Sequence, residues 1–258
     1  MVSTQCVGKE ADNRYDSTNS ERKDTQEISN LQNFHVAKSS GRSEPNTIKE
    51  IKCKNIGRKC NNLKSPLKIL CQNIRRLVTK NKKDKIGFFK DYCYENNVLL
   101  MNFTETWLDK YVKDDVILNG YQIFRCDRKN RVGGGVAIYV KNEYEVEIIE
   151  EMSVGGIEMV AVHIKRLNIV NIVIYRPPDA VTQQFYNVLE KVDDLLKSVN
   201  KPEPTVIISG DFNFPFIRWV RGSDNGCRWE KKKNYGTTNG MKSQFNKLID
   251  VMDNHALV

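Results

Sequence analysis

The chain has 258 residues, with 41 Lys or Arg against 32 Asp or Glu and a net charge of +9 when histidine is neutral. A mean hydropathy of −0.54 and the lack of any apolar run of bilayer length exclude a helical membrane-spanning chain, so no membrane partner is expected. Met1–Cys6 shows no basic segment followed by an apolar one, and an intracellular protein, nuclear or cytoplasmic and not secreted, is expected.

Seven cysteines, odd in number and without a Cys-x-x-Cys pair, argue against a closed disulfide framework. Cys53 and Cys60 have no histidine nearby and read as reduced thiols rather than zinc ligands. The positive balance suits a phosphate-rich partner.

Residues 1–64 are polar and lack sustained hydrophobic periodicity, which predicts a disordered extension. Order is expected from Pro66 onward, with residues 65–258 as one domain. Leu67–Asn73 reads as a strand ending in a carboxamide just before Arg75 and Arg76. The basic run Lys80–Lys85 opens a solvated helix, which continues as Ile86–Tyr94 with its aromatic residues toward the core. Val98–Glu105 is a second apolar run, ending in a carboxylate. Tyr121–Arg125, Val136–Val140, Tyr144–Ile149 and Glu158–Ile164 are spaced closely enough to form antiparallel hairpins. Gly133-Gly134-Gly135 opens a strand instead of a helix, which makes it a hairpin turn and not a nucleotide loop. His163 is an ordinary strand residue.

Ile169–Tyr175 ends in a tyrosine, and Arg176-Pro177-Pro178 must then leave the sheet because proline cannot donate to a ladder. Phe185, Val188, Leu189, Val192, Leu195 and Leu196 recur at helical spacing across Thr182–Lys197, an amphipathic helix on a sheet. Val206–Ser209 is a buried strand running into Gly210-Asp211-Phe212-Asn213, and period-two alternation points Asp211 and Asn213 the same way. Lys231–Lys233 is expected in a loop. Met241, Phe245, Leu248, Ile249 and Met252 mark a last helix, with His255 at its end. Trp107 and Trp219 are expected to pack beneath the site.

Four apolar runs thus end in Asn73, Glu105, Tyr175 and Asp211 with Asn213. Carboxylate and carboxamide oxygens suit a hard, hydrated cation that leaves positions for water and substrate phosphate. Magnesium is the expected cofactor, with manganese as the alternative.

The motifs Gln72-Asn73-Ile74-Arg75, Thr104-Glu105-Thr106-Trp107-Leu108, Arg125-Cys126-Asp127-Arg128 with Gly133-Gly134-Gly135-Val136, Tyr175-Arg176-Pro177-Pro178 and Gly210-Asp211-Phe212-Asn213 stand in one order. That order resembles the endonuclease/exonuclease/phosphatase family, and more closely the apurinic-type endonuclease domain of non-LTR (LINE-like) retrotransposons. The resemblance implies a DNase I-like α/β sandwich of two mainly antiparallel sheets flanked by helices, and phosphodiester hydrolysis on DNA. It implies Glu105 as the principal metal carboxylate and Asn73 as a metal or phosphate ligand. Asp211 would activate water, Asn213 would orient Asp211, and Tyr175 would bond the scissile phosphate or the metal shell. Arg75 and Arg128 are expected to contact nucleic acid.

Family members continue through further strands to another aspartate and a closing Ser-Asp-His, so the resemblance also implies a truncated domain missing its closing strands. Asp253-Asn254-His255 resembles that ending only superficially. Two other readings stay open: a phosphatase of the same fold acting on a small or lipid phosphoester, and a catalytically dead nucleic-acid-binding remnant.

Overall fold

Two β-α-β units set the architecture. In the first, β2 (Leu67–Asn73) and β3 (Leu100–Thr104) run parallel, joined through α1 (Lys85–Asn96); in the second, β8 (Ile169–Tyr175) and β9 (Thr205–Asp211) run parallel, joined through α2 (Thr182–Ser198). A parallel pair needs such a crossover, whereas neighbours in a hairpin do not. The computed structural model describes residues 49–53, 67–78, 85–112, 118–129, 131–199, 204–221, 227–232 and 236–255.

Around the first pair, β1 (Lys49–Cys53), β4 (Tyr121–Cys126) and β5 (Val136–Lys141) complete a five-stranded sheet in the order β1-β2-β3-β5-β4. Around the second, β6 (Val146–Val154) and β7 (Ile157–Ile164) complete a four-stranded sheet, β6-β7-β8-β9. Every other pairing within the two sheets is antiparallel, as the resemblance implied. A separate hairpin joins β10 (Ile217–Arg221) to β11 (Cys227–Lys231), and α3 (Asn239–Asn254) follows. Thr238 caps α3, its hydroxyl accepting from the Met241 N–H at 3.2 Å.

Strand alternation sorts the apolar residues into three layers of core. Ile69, Leu100 and Ile138 meet Val160, Val173 and Ile207 between the sheets. On the outer face of the first sheet, Leu70 and Met101 pack against Ile86 and Phe89 of α1. On the outer face of the second, Ile172, Ile174 and Ile208 pack against Phe185 and Leu189 of α2 and Phe245 and Leu248 of α3. The inner layer also holds a polar lock. Asn102 and Asn171 exchange amide hydrogen bonds of 2.9 Å, and Asn102 Nδ2 also donates to Ser209 Oγ at 2.8 Å. Buried amides that find one another fix the register of the two sheets, because any slip leaves them unpaired.

Three expectations need correction. Lys49–Cys53 lies inside the stretch read as disordered and forms edge strand β1, which pairs with β2. It is held through ladder hydrogen bonds and is too short for its Ile51/Cys53 alternation to stand out. The rest of residues 1–64, Cys60 included, lies outside the described residues. In α1 only Ile86, Phe89 and Cys93 are buried, while Phe88 and Tyr94 are exposed. Positions 86, 89 and 93 make one narrow stripe, with Tyr92 partly buried beside it, that Phe88 and Tyr94 do not share. Lys231 ends β11 instead of lying in a loop, and Lys233 lies outside the described residues. Among the described residues no helix is long and apolar enough to cross a membrane.

Candidate active site

Register places Asn73 opposite Thr104 in the first parallel pair and Tyr175 opposite Asp211 in the second. The two strand ends meet across the sandwich. Asn73 Nδ2 donates to Asp211 Oδ2 at 2.7 Å and lies 3.3 Å from Glu105 Oε1, so one amide touches carboxylates from both sheets. The Tyr175 hydroxyl donates to Glu105 Oε1 at 3.2 Å. Burial, and then the neighbouring Glu105, push the Tyr175 phenol well above its ordinary pKa, so it remains a proton donor at neutral pH.

Glu105 stands just past β3 with a left-handed backbone, φ 54°, as do Trp107 at 54°, Arg75 at 39° and Arg76 at 75°. Each such residue costs roughly 1–3 kcal/mol and persists only where its surroundings hold it. Here Arg76 N–H donates to the Glu105 carbonyl at 2.8 Å, Leu77 N–H to Thr106 at 2.8 Å, and Trp107 N–H to Gly134 at 2.9 Å. The indole of Trp107 also donates to Glu105 Oε2, at 3.3 Å. The twisted backbone turns the carboxylate out of the ladder and toward Asn73 and Tyr175.

Asp211 is buried at the end of β9, and its Oδ1 accepts from the Asn213 N–H at 3.2 Å. The preceding Gly210 is required by space: a Cβ there would sit 1.8 Å from the Ile174 carbonyl oxygen, at φ 150°. Only glycine lets β9 close on β8 directly before the carboxylate.

Two site residues are placed differently from expectation. Asn213 lies beyond the strand at φ 48°, which ends the alternation, and its carboxamide donates to the Arg176 carbonyl at 2.8 Å. It orients Asp211 through its backbone N–H, not its side chain. Arg128 is not an open cation. Its side chain is 6% exposed and forms an ion pair with the fully buried Glu158 at 2.8 Å, while its guanidinium carbon lies 5.2 Å from the centre of the Tyr175 ring. Glu158 also accepts from the Gly135 N–H at 3.1 Å. Arg128 therefore supports Tyr175 and the glycine turn from below. Arg75 is exposed beside Asn73, and no ion pair engages it among the described residues.

Arg76 and Glu158 are residues to which sequence reasoning gave no role at the site, and Trp107, expected to pack beneath it, bonds Glu105 directly. Arg76 lies over the Trp107 ring at 5.0 Å, and the half-buried indole bonds the Glu105 carboxylate. Glu158 did carry a signal, as a carboxylate within an apolar strand that demands a buried partner. Trp219 belongs to β10. His255 caps α3 and bonds Asp193 of α2 at 2.7 Å, a helix-end role as expected, and His163 bonds Asn168 at 3.0 Å.

Motif residues from four strand ends converge on one edge of a two-sheet sandwich. The fold is an α/β sandwich of two mainly antiparallel sheets flanked by helices. No family model and no curated protein matches the chain. Among solved structures it is similar to an AP endonuclease from Archaeoglobus fulgidus, with 16% identity over 72% of this chain and 70% of that one at a TM-score of 0.47. It is similar to the endonuclease domain of TRAS1, a telomere-specific non-LTR retrotransposon, with 14% identity over 72% and 71% at 0.45. It is also similar to a mannosyl-6-phosphatase from Bacteroides thetaiotaomicron, with 14% identity over 70% of each chain at 0.44. These identities and scores are low, and the functional reading rests on the site itself.

The Glu105 and Asp211 carboxylates bring oxygens to this site, and Asn73 turns its amide nitrogen toward both while its Oδ1 accepts from the Arg75 N–H at 3.2 Å. Among the described residues no cluster of three or more His, Cys, Asp or Glu side chains assembles. One or two carboxylates beside a carboxamide fit a small hard cation that keeps its waters, not a closed protein cage.

Proposed function

We propose that the chain is a metal-dependent phosphodiesterase that nicks DNA, the endonuclease domain of a retrotransposon-derived protein. The observation that carries this reading is the Asn73 amide joining Glu105 and Asp211, with the Tyr175 hydroxyl on Glu105. Glu105 and Asn73 would hold magnesium, or manganese, which when bound polarises a phosphoryl oxygen and neutralises developing charge. Asp211, aimed by the Asn213 N–H, takes the proton of the attacking water. Tyr175, kept protonated by burial, donates to a phosphate oxygen. The Asn73 amide holds the two carboxylates in register.

DNA is favoured over a small phosphoester by the charge of +9 and by Arg75, an exposed cation next to Asn73. The Tyr175-Arg176-Pro177-Pro178 form of the motif favours the retroelement branch. One observation supports a second reading, binding without turnover: His163 and His255, the histidines among the described residues, are both engaged away from the site, with Asn168 and Asp193.

Purified protein given magnesium and either duplex DNA or a soluble phosphomonoester separates the readings. Turnover of DNA alone supports the endonuclease. Turnover of the monoester alone points to a phosphatase. Binding to DNA that weakens steeply with salt, without cleavage, identifies a binding remnant.

A further inference from the structure

Arg176 is completely buried, yet among the described residues no carboxylate bonds its guanidinium. Nη1 donates to the carbonyls of Pro177 at 3.2 Å, Phe212 at 3.1 Å and Asn213 at 3.4 Å, and Nε donates to Gln244 Oε1 at 2.6 Å. The rings of Phe214 and Phe185 cover it at 4.6 and 5.6 Å. Its backbone is engaged with the same turn: Arg176 N–H donates to the Asp211 carbonyl at 2.9 Å, and its own carbonyl accepts the Asn213 carboxamide at 2.8 Å. Burying a cation with no carboxylate bonded to it is costly, and burial lowers the Arg176 pKa to about 10 against the opposing pull of the Asp179 and Asp211 charges. A neutral residue filling the same space would avoid that cost but would leave three carbonyls without their donor.

We propose that Arg176 is a positioning residue for Asp211. Its guanidinium clamps the Phe212–Asn213 carbonyls, which holds Asn213 in its left-handed conformation and so aims the Asn213 N–H at Asp211 Oδ1. Gln244 anchors the clamp from behind. Its Nε2 donates to Thr182 Oγ1 at 2.9 Å and to the Ala180 carbonyl at 3.2 Å, so α3, the start of α2 and the Asp211 turn share one hydrogen-bonded chain. The clamp is the fully buried part of the Tyr-Arg-Pro-Pro motif.

The consequence for catalysis rests on the endonuclease reading; the consequence for the turn does not. Arg176→Lys keeps the charge but lacks the planar fork, and Gln244→Met removes the rear anchor at a distance from Asp211. Both should speed amide hydrogen exchange at Phe212–Phe214 by at least about tenfold while exchange in β2, β3 and β7 is unchanged. On DNA, kcat should fall on the order of a hundredfold for Arg176→Lys, the effect of a misplacement of about 1 Å, with KM within about threefold. Exchange that rises uniformly through the core, or not at all, in both variants would overturn the proposal, since a merely structural arginine loosens the whole sheet. If Arg176→Lys does not fold, Gln244→Met decides on the same exchange pattern. A wild-type chain that does not cleave DNA defeats the endonuclease reading, whereas the local exchange result still judges the clamp.

Discussion

The two parallel pairs deliver their site residues in opposite ways. β8 and β9 end in a fixed half. Tyr175 and Asp211 are buried, Gly210 allows the strands to touch, and Arg176 ties down the following turn. β2 and β3 end in a strained half, where Arg75, Arg76, Glu105 and Trp107 all take left-handed backbone and Glu105 remains half-buried. A proton acceptor needs a constant position, while a ligand to a hydrated ion needs access and directed lone pairs. On the proposed reading the sandwich would supply one from each sheet, and the Asn73 amide bonds both carboxylates.

Substitutions can break that division of labour from either side. The largest effect is expected at the fixed half's carboxylate: Asp211→Asn should lower kcat roughly 10²–10⁴-fold, the usual range for loss of a general base. The fold should survive, as checked by thermal melting, with a small loss of Tm, because the carboxamide oxygen can accept from only one of Asn73 Nδ2 and the Asn213 N–H, which bond different carboxylate oxygens of Asp211.

Gly210→Ala should instead destabilise the fold. Its Cβ would fall 1.8 Å from the Ile174 carbonyl oxygen, so β9 must move, at about 3 kcal/mol, toward the upper part of the overpacking range. A urea melt measures the change, and a loss well below 1 kcal/mol would show that β8 and β9 can part without penalty.

In the strained half, Trp107→Phe removes the indole donor to Glu105 while keeping the ring under Arg76. At 3.3 Å that bond is long, and its loss should cost about 1 kcal/mol, or roughly fivefold in kcat/KM. No change in kcat/KM would mean that Asn73 and Tyr175 alone orient the carboxylate.

The smallest effect is expected outside both halves. Lys197 and then His255 hold the Asp193 carboxyl below its ordinary pKa. That contribution is therefore present above the unfolded carboxylate pKa and lost as pH falls through the folded one. His255→Gln should leave cleavage unchanged and slightly flatten the decline of Tm at acid pH. A large loss of cleavage would instead put His255 in the chemistry.

The fixed half was the more legible in sequence. Its apolar runs, the amphipathic period of α2 and the Gly-Asp-Phe-Asn turn follow from alternation and helical spacing, which are local properties. In the strained half the two strands were as legible, but the path of the chain beyond them was not. Left-handed conformations at Arg75, Arg76, Glu105 and Trp107 arise from hydrogen bonds between three separate loops, which no single segment encodes. Arg128 was misread for a similar reason: its partner Glu158 lies 30 residues away, and an arginine in a glycine-rich turn looks solvated until the opposing strand is placed. The Asn213 side chain was misjudged because alternation was carried past the end of β9.

The most direct test of the central claim is nicking of supercoiled plasmid by the purified chain with magnesium, beside a chelator control and Glu105→Ala. The account predicts nicking by the wild-type chain that both controls abolish. Soluble, folded protein that leaves the plasmid intact, or that nicks it equally well without Glu105, would contradict it.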